Sequence, residues 1–160
     1  MKSLKYIILL AITLLLSSVC TYAEKTWEDT NIEKMCVAAC IILEAGGTQE
    51  EEIMAIANVI FNRAKKRGIT PYEVVMQPKQ FSSIETFRGL HLFQRQIIEK
   101  TSVHTKWELA YHLTDLGYKN KLTDLTKGAD HFHDTSVNPY WTASMAMTGY
   151  SKSFRFYRSQ

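Results

Sequence analysis

The stretch Met35-Cys36-Val37-Ala38-Ala39-Cys40-Ile41-Ile42-Leu43-Glu44 is apolar on every helical face until its last residue, and Ala45-Gly46-Gly47 then breaks it. A helix without a polar face has no stable place on a surface, so the rest of the chain must wrap around this segment. Glu44 is its one charged residue and falls in the last turn. Desolvation and the negative end of the helix dipole both disfavour an anion at that place. A carboxyl there is suited to hold a proton and donate it near neutral pH, which makes Glu44 the leading candidate for a catalytic acid. The plain alternative is a solvent-facing glutamate with no chemical role.

Asp29 or Thr30 can cap this first helix, and Gly46-Gly47 is expected to end it in a left-handed turn. Thr48-Gln49-Glu50-Glu51 reads as a capping box opening a second helix. Ile53, Ile56, Ala57, Ile60, Phe61 and Ala64 follow helical spacing along it, and Gly68 stops it. Glu50, Glu51 and Glu52 lie at its positive end, where the ionised form is favoured, and are expected to face solvent. Thr70-Pro71-Tyr72-Glu73 starts a short third helix ending near Gln77-Pro78. Gln77 to Ser83 reads as a polar loop around Phe81, and Leu90 to Gly117 has helical composition. Beyond Gly128, Ala129 to His133 and Phe154 to Arg158 alternate like short strands, with Gly149 to Lys152 as a turn. The expected fold is one α+β domain, mostly helical, with a small C-terminal sheet.

The N-terminus carries Lys2 and Lys5, an apolar run from Tyr6 to Val19, and small residues at Thr21 and Ala23. This is the layout of a secretory signal over residues 1–23, with an uncleaved signal anchor as the alternative, and leaves residues 24–160 as a single domain. The formal charge of +3 falls towards neutrality without Lys2 and Lys5, which gives no electrostatic basis for nucleic-acid binding. Cys36 and Cys40 are four apart on one helix, where geometry strains a disulfide, so two buried thiols are expected.

Four blocks occur in an order that resembles a known family. They are Glu44-Ala45-Gly46-Gly47 with Ala57-Asn58-Val59-Ile60-Phe61-Asn62-Arg63, Gln77-Pro78-Lys79-Gln80-Phe81-Ser82, Gly128-Ala129-Asp130-His131-Phe132-His133, and Val137-Asn138-Pro139-Tyr140-Trp141 followed by Phe154-Arg155-Phe156-Tyr157-Arg158. Together they resemble the spore-cortex-lytic type of cell wall hydrolase, the SleB/CwlJ family, from about Cys40 to Arg158. The resemblance implies a lysozyme-like catalytic domain that cleaves peptidoglycan glycan strands, some members being lytic transglycosylases, with the catalytic glutamate falling on Glu44. Many relatives carry a further acid where this chain has Thr48, so that carboxylate is lost here.

Hydrolysis of a glycosidic bond usually takes two carboxyl groups, whereas a lytic transglycosylase can work with one. Glu85, Asp130 and Asp134 are the possible second carboxylates; one-acid chemistry on Glu44 is the expected mechanism, with no cofactor and no metal. Pyranose rings stack on aromatic faces and their hydroxyl and acetamido groups need fixed polar partners. Gln80, Phe81, Ser82, His133, Tyr140, Trp141 and Tyr157 are the candidate glycan-binding residues, while Phe81, Trp141 and Tyr157 could equally be packing and Gln80 could brace its own loop. Asn58 and Asn62, one turn apart, are expected to tie their helix to a loop. Three rival functions stand beside this one. His131 and His133, two apart in a strand, could collect zinc in a peptidoglycan amidase. A Cys-His peptidase would use Cys36 or Cys40, and a glycan-binding module would keep the fold without turnover.

Overall fold

The apolar segment becomes the centre of the domain. A computed structural model describes residues 27–160 apart from His91, and the side chains of Trp27 and Glu28 are likewise left undescribed; the signal segment expected over residues 1–23 lies outside the described residues. Helix α1 (Trp27–Ala45) carries Cys36 to Ile41 with no exposure at all, a run longer than one helical turn, so the helix is covered on every side. Helices α2 (Glu50–Arg67), α3 (Pro71–Met76), α4 (Ser82–Glu85), α5 (Phe93–Ser102) and α6 (Trp107–Tyr118) all pack against it. Each fully buried Ile or Val contributes about 1.5–3 kcal/mol relative to exposure, which is why a helix this apolar is driven inside.

The local signals set most boundaries. Gly68 closes α2 with φ 66°, a left-handed conformation open to glycine at little cost. Thr70 caps α3, accepting from Glu73 N at 3.1 Å while Glu73 Oε2 accepts from Thr70 N at 2.7 Å, with Pro71 in the first turn. Two expectations are corrected. The left-handed turn after α1 is absent: neither Gly46 nor Gly47 has positive φ. Gly46 is needed for close approach instead, since a Cβ there would lie 2.6 Å from the Ile42 carbonyl oxygen and 3.2 Å from the His104 ring. The cap of α2 also shifts by one residue, with Gln49 N donating to Glu52 Oε2 at 3.2 Å and Thr48 turning back to the Ala45 carbonyl at 2.8 Å.

The segment expected to be helical from Leu90 to Gly117 is two helices, separated at Val103 to Lys106. Helix α6 reaches α2 closely at Gly117, where a Cβ would sit 2.2 Å from the Phe61 ring. Strands β1 (His131–Asp134), β2 (Ala146–Tyr150) and β3 (Phe154–Arg158) form an antiparallel sheet in the order β1-β3-β2, and a 3-10 helix (Tyr140–Ser144) precedes β2. Period-two alternation divides the β1–β3 pair into two faces. Phe132, Phe154 and Phe156 form one aromatic set, in which Phe132 and Phe154 meet edge to face at 5.6 Å and Phe132 lies 6.5 Å from Phe81. His131, His133 and Tyr157 form the other, against Trp141. The domain is therefore α+β, mostly helical, with a small C-terminal sheet.

Candidate active site

Glu44 lies at the end of α1 with its side chain half-buried, neither sealed in the core nor fully in water. Ser83, in α4, donates its hydroxyl to Glu44 Oε1. Two further groups share its electrostatic surroundings. Cys40 lies one turn earlier; burial pushes its thiol well up, Glu44 pushes in the same direction, and Arg63 opposes. Arg63 itself is lowered to about 10, by burial first and then by Arg67, against the attraction of Cys40, Asp130 and Glu44. Cys36 is raised to about 12 by burial and by Glu33. Both cysteines are free thiols in the core, as expected, and burial suppresses the thiolate that a Cys-His peptidase would need.

Arg63 joins three elements. Its Nε donates to the Asp130 carbonyl at 2.9 Å, its guanidinium lies over the Phe81 ring at 5.1 Å, and its Nη1 reaches Gln80 Oε1 at 3.5 Å. Arg67 donates to the same Gln80 oxygen at 2.9 Å and to Gln77 at 2.6 Å. Gln80 therefore braces the loop that carries Ser83. Phe81 is 2% exposed and packs within the core, so its ring offers no face to a sugar; Ser82 is exposed at the start of α4. Asn58 and Asn62 tie α2 to the segment before β1, as expected. Asn58 exchanges hydrogen bonds with the Thr123 carbonyl and Leu125 N at 3.0 and 2.9 Å, and Asn62 donates to Asp124, Thr126 and the Ala129 carbonyl.

His133, Trp141 and Tyr157 come together on the second face of the sheet. The His133 and Tyr157 rings stack with centroids 5.4 Å apart, and Trp141 meets both edge to face at 5.7 and 5.4 Å. His133 Nε2 lies 3.2 Å from the Tyr157 hydroxyl and its Nδ1 2.8 Å from the Asp134 carbonyl, so both ring nitrogens are engaged. His131 shares the face, as strand alternation requires, with its Nδ1 2.8 Å from Asp130. Among the described residues no group of three or more His, Cys, Asp or Glu is placed to hold a metal ion. Trp141 is half-buried, and neighbouring Tyr140 is 93% exposed.

The three glutamates opening α2 do not behave alike. Glu50 and Glu51 face solvent as expected, but Glu52 is 4% exposed, a correction to the sequence reading. Its carboxylate accepts from Ser151 Oγ at 2.6 Å, Ser153 N at 2.7 Å, Ser153 Oγ at 3.2 Å and Gln49 N at 3.2 Å. Burial alone would raise its pKa; the Ser151, Ser153 and Gln49 donors outweigh that and hold it at about 2. The contact of Ser83 with Glu44, the bridging by Arg63 and the burial of Glu52 are what sequence reasoning did not anticipate. Ser83 stood beside the motif serine Ser82, and the short helix that selects between them carries no periodic signal.

A separate cavity of about 570 Å³ lies between α2, α6 and the segment from Asn120 to Asp124, lined by Asn58, Phe61, Asn62 and Tyr118 among others and not by Glu44.

The molecule is thus a mostly helical α+β domain with a half-buried carboxyl at the end of α1 and an aromatic cluster on a small sheet. The chain belongs to the Cell Wall Hydrolase family, which it matches over residues 47–157, more than half of its length. Peptidoglycan, the polymer of the bacterial wall, is thus its substrate class. The matched segment opens just after Glu44, so the role of that residue rests on its own geometry. No curated protein and no solved structure matches the chain. Among the described residues no helix is long and apolar enough to cross a membrane.

Proposed function

We propose that this chain is a lytic transglycosylase that cleaves the bond between N-acetylmuramic acid and N-acetylglucosamine, using Glu44 as acid and then as base. In the first half, the proton of Glu44 passes to the glycosidic oxygen as its bond to the anomeric carbon breaks. In the second half, the muramyl C6 hydroxyl attacks that carbon and its proton passes to Glu44. The product is a 1,6-anhydro sugar, no water is consumed, and the carboxyl ends the cycle as it began it.

The observation that carries this reading is how the other candidate carboxylates are committed. Glu85 accepts from Lys79 N at 2.8 Å and from Arg88 Nε at 3.0 Å, and the Lys79 bond leads in lowering its pKa. Asp130 is buried; burial would raise it, but Ser159, His131 and Lys66 more than compensate and hold it well below the usual range. Asp134 is exposed and turns to its own loop, accepting from Ser136 N at 2.7 Å. None of the three shares a hydrogen-bond partner with Glu44. A hydrolase of the usual two-carboxyl kind would need one of them to activate water across the sugar ring. Of these four candidates, Glu44 is the one that is half-buried with a neutral hydroxyl, and no cation, as its hydrogen-bond partner.

Tyr140 and Trp141 supply the aromatic faces for the glycan in this reading, Ser82 a hydroxyl, and His133 with Tyr157 hold Trp141 from behind. Residues 24–160 form the working domain, exported by the segment 1–23. The test is Glu44→Gln, which keeps the shape and an acceptor oxygen for Ser83 but no transferable proton. Release of soluble muropeptides from purified peptidoglycan is expected to fall by about 10²–10⁴-fold with the melting temperature unchanged. Turnover within about five-fold of the native enzyme would refute the assignment.

A further inference from the structure

We propose that Ser83 is a positioning residue that pins one oxygen of Glu44, so that the other oxygen carries the proton in both halves of the reaction. The inference rests on the reading of Glu44 given above and assigns a residue that neither the family blocks nor the carboxylate inventory points to.

A glutamate in the last turn of a helix has a terminal torsion with broad, roughly two-fold preferences, so a half-exposed carboxyl swings unless something holds it. A general acid must lie within about 2.6–3.2 Å of the atom it protonates, and a misplacement of about 1 Å can cost about 10²-fold in rate. Ser83 is the group that holds it: its hydroxyl donates to Oε1. The serine is rigidly mounted. Phe81, Ile84 and Phe87, on both sides of it, are 2, 1 and 8% exposed. Thr86 Oγ1 donates to the Ser83 carbonyl at 2.8 Å, and Lys79 N donates to Glu85. Arg63 and Arg67 fix Gln80 at the start of the same segment.

The chemistry suits a hydroxyl at this place. With the proton on Oε2, Oε1 is the carbonyl-like oxygen and accepts from Ser83; with the proton gone, Oε1 is half of an anion and still accepts. The contact therefore persists from the acid half to the base half without a change of partner. Cys40 on its own helix and Arg63 on α2 also share the field of Glu44. Neither hydrogen-bonds the carboxyl, so Ser83 sets its direction.

Ser83→Thr and Ser83→Val differ by a hydroxyl against a methyl group, and the experiment compares their kcat and KM on soluble glycan strands, reading 1,6-anhydro ends by mass spectrometry. Thr is expected to keep turnover within about three-fold of native, while Val loses about 10–100-fold in kcat with KM nearly unchanged and an equal melting temperature. Equal kcat for Thr and Val overturns the proposal. A loss in Val matched by a fall in melting temperature, with kcat per folded molecule retained, overturns it too. Should Val not fold, Ser83→Ala against the native enzyme reads the same difference. If the native enzyme forms no anhydro ends, the one-carboxyl reading fails; if it forms them and the serine variants do not differ, only the role of Ser83 fails.

Discussion

The two sides of the Gly46-Gly47 turn each place a glutamate at a helix end, and the fold treats them in opposite ways. Glu44 closes α1, at the negative end of the helix dipole, and meets one neutral hydroxyl. Glu52 opens α2, at the positive end, and meets four donors from Ser151, Ser153 and Gln49. The saturated carboxylate has no lone pair to spare for a substrate and acts as a rivet between α2 and the β2–β3 turn. The lightly held one has its second oxygen left over for the acid–base role proposed above. Residue type and burial alone would have ranked them the other way, because Glu52 is the more deeply buried of the two.

The comparison breaks most visibly at Glu52. Glu52→Ala leaves several buried donors without an acceptor and should cost about 4 kcal/mol in urea unfolding, while folded molecules retain turnover. Loss of activity in a fully folded Glu52→Ala protein would erase the division. Acid gives the next largest effect. The folded-state pKa of Glu52, about 2, lies below its ordinary 4.5, so its contribution is complete above about pH 4.5 and is lost as pH falls towards 2. Its share is at most about 3 kcal/mol, and Glu52→Gln should flatten that part of the stability–pH curve. On the other side of the turn, Glu44→Asp withdraws the carboxyl by one methylene from Ser83 and from the sugar. Turnover should drop about 10²-fold, equivalent to about 2.7 kcal/mol of barrier, with little change in melting temperature. Smallest is Tyr157→Phe, which removes the hydroxyl beside His133 and should cost about 1 kcal/mol in the same unfolding assay.

Much of the helical body is legible in the sequence because its signals are local. The apolar run of α1, the spacing of Ile53, Ile56 and Ile60, the φ-permissive Gly68 and the Thr70-Pro71-Tyr72-Glu73 start each act within one or two turns. Strands β1 and β3 announce themselves by alternation. Strand β2 does not, because Ala146 to Tyr150 is mostly exposed and takes its shape from pairing with β3 across a bulge at Met147 and Gly149. The short helix α4 is set by Phe81 and Ile84 entering the core, a long-range event that the polar letters around them conceal. The candidate site shows the same division. Glu44 can be proposed from its helix alone, but Gln80 and Phe81 fit a sugar by type and are instead claimed by Arg63, an arginine many residues earlier. The burial of Glu52 depends on serines a hundred residues away and has no local mark.

The claim that one carboxyl suffices is tested most directly by the mass of the muropeptides released from purified peptidoglycan by the native enzyme. The account predicts 1,6-anhydromuramyl ends, lighter by one water than the products of hydrolysis. Reducing ends carrying that water would place a second, water-activating group in the site and contradict it.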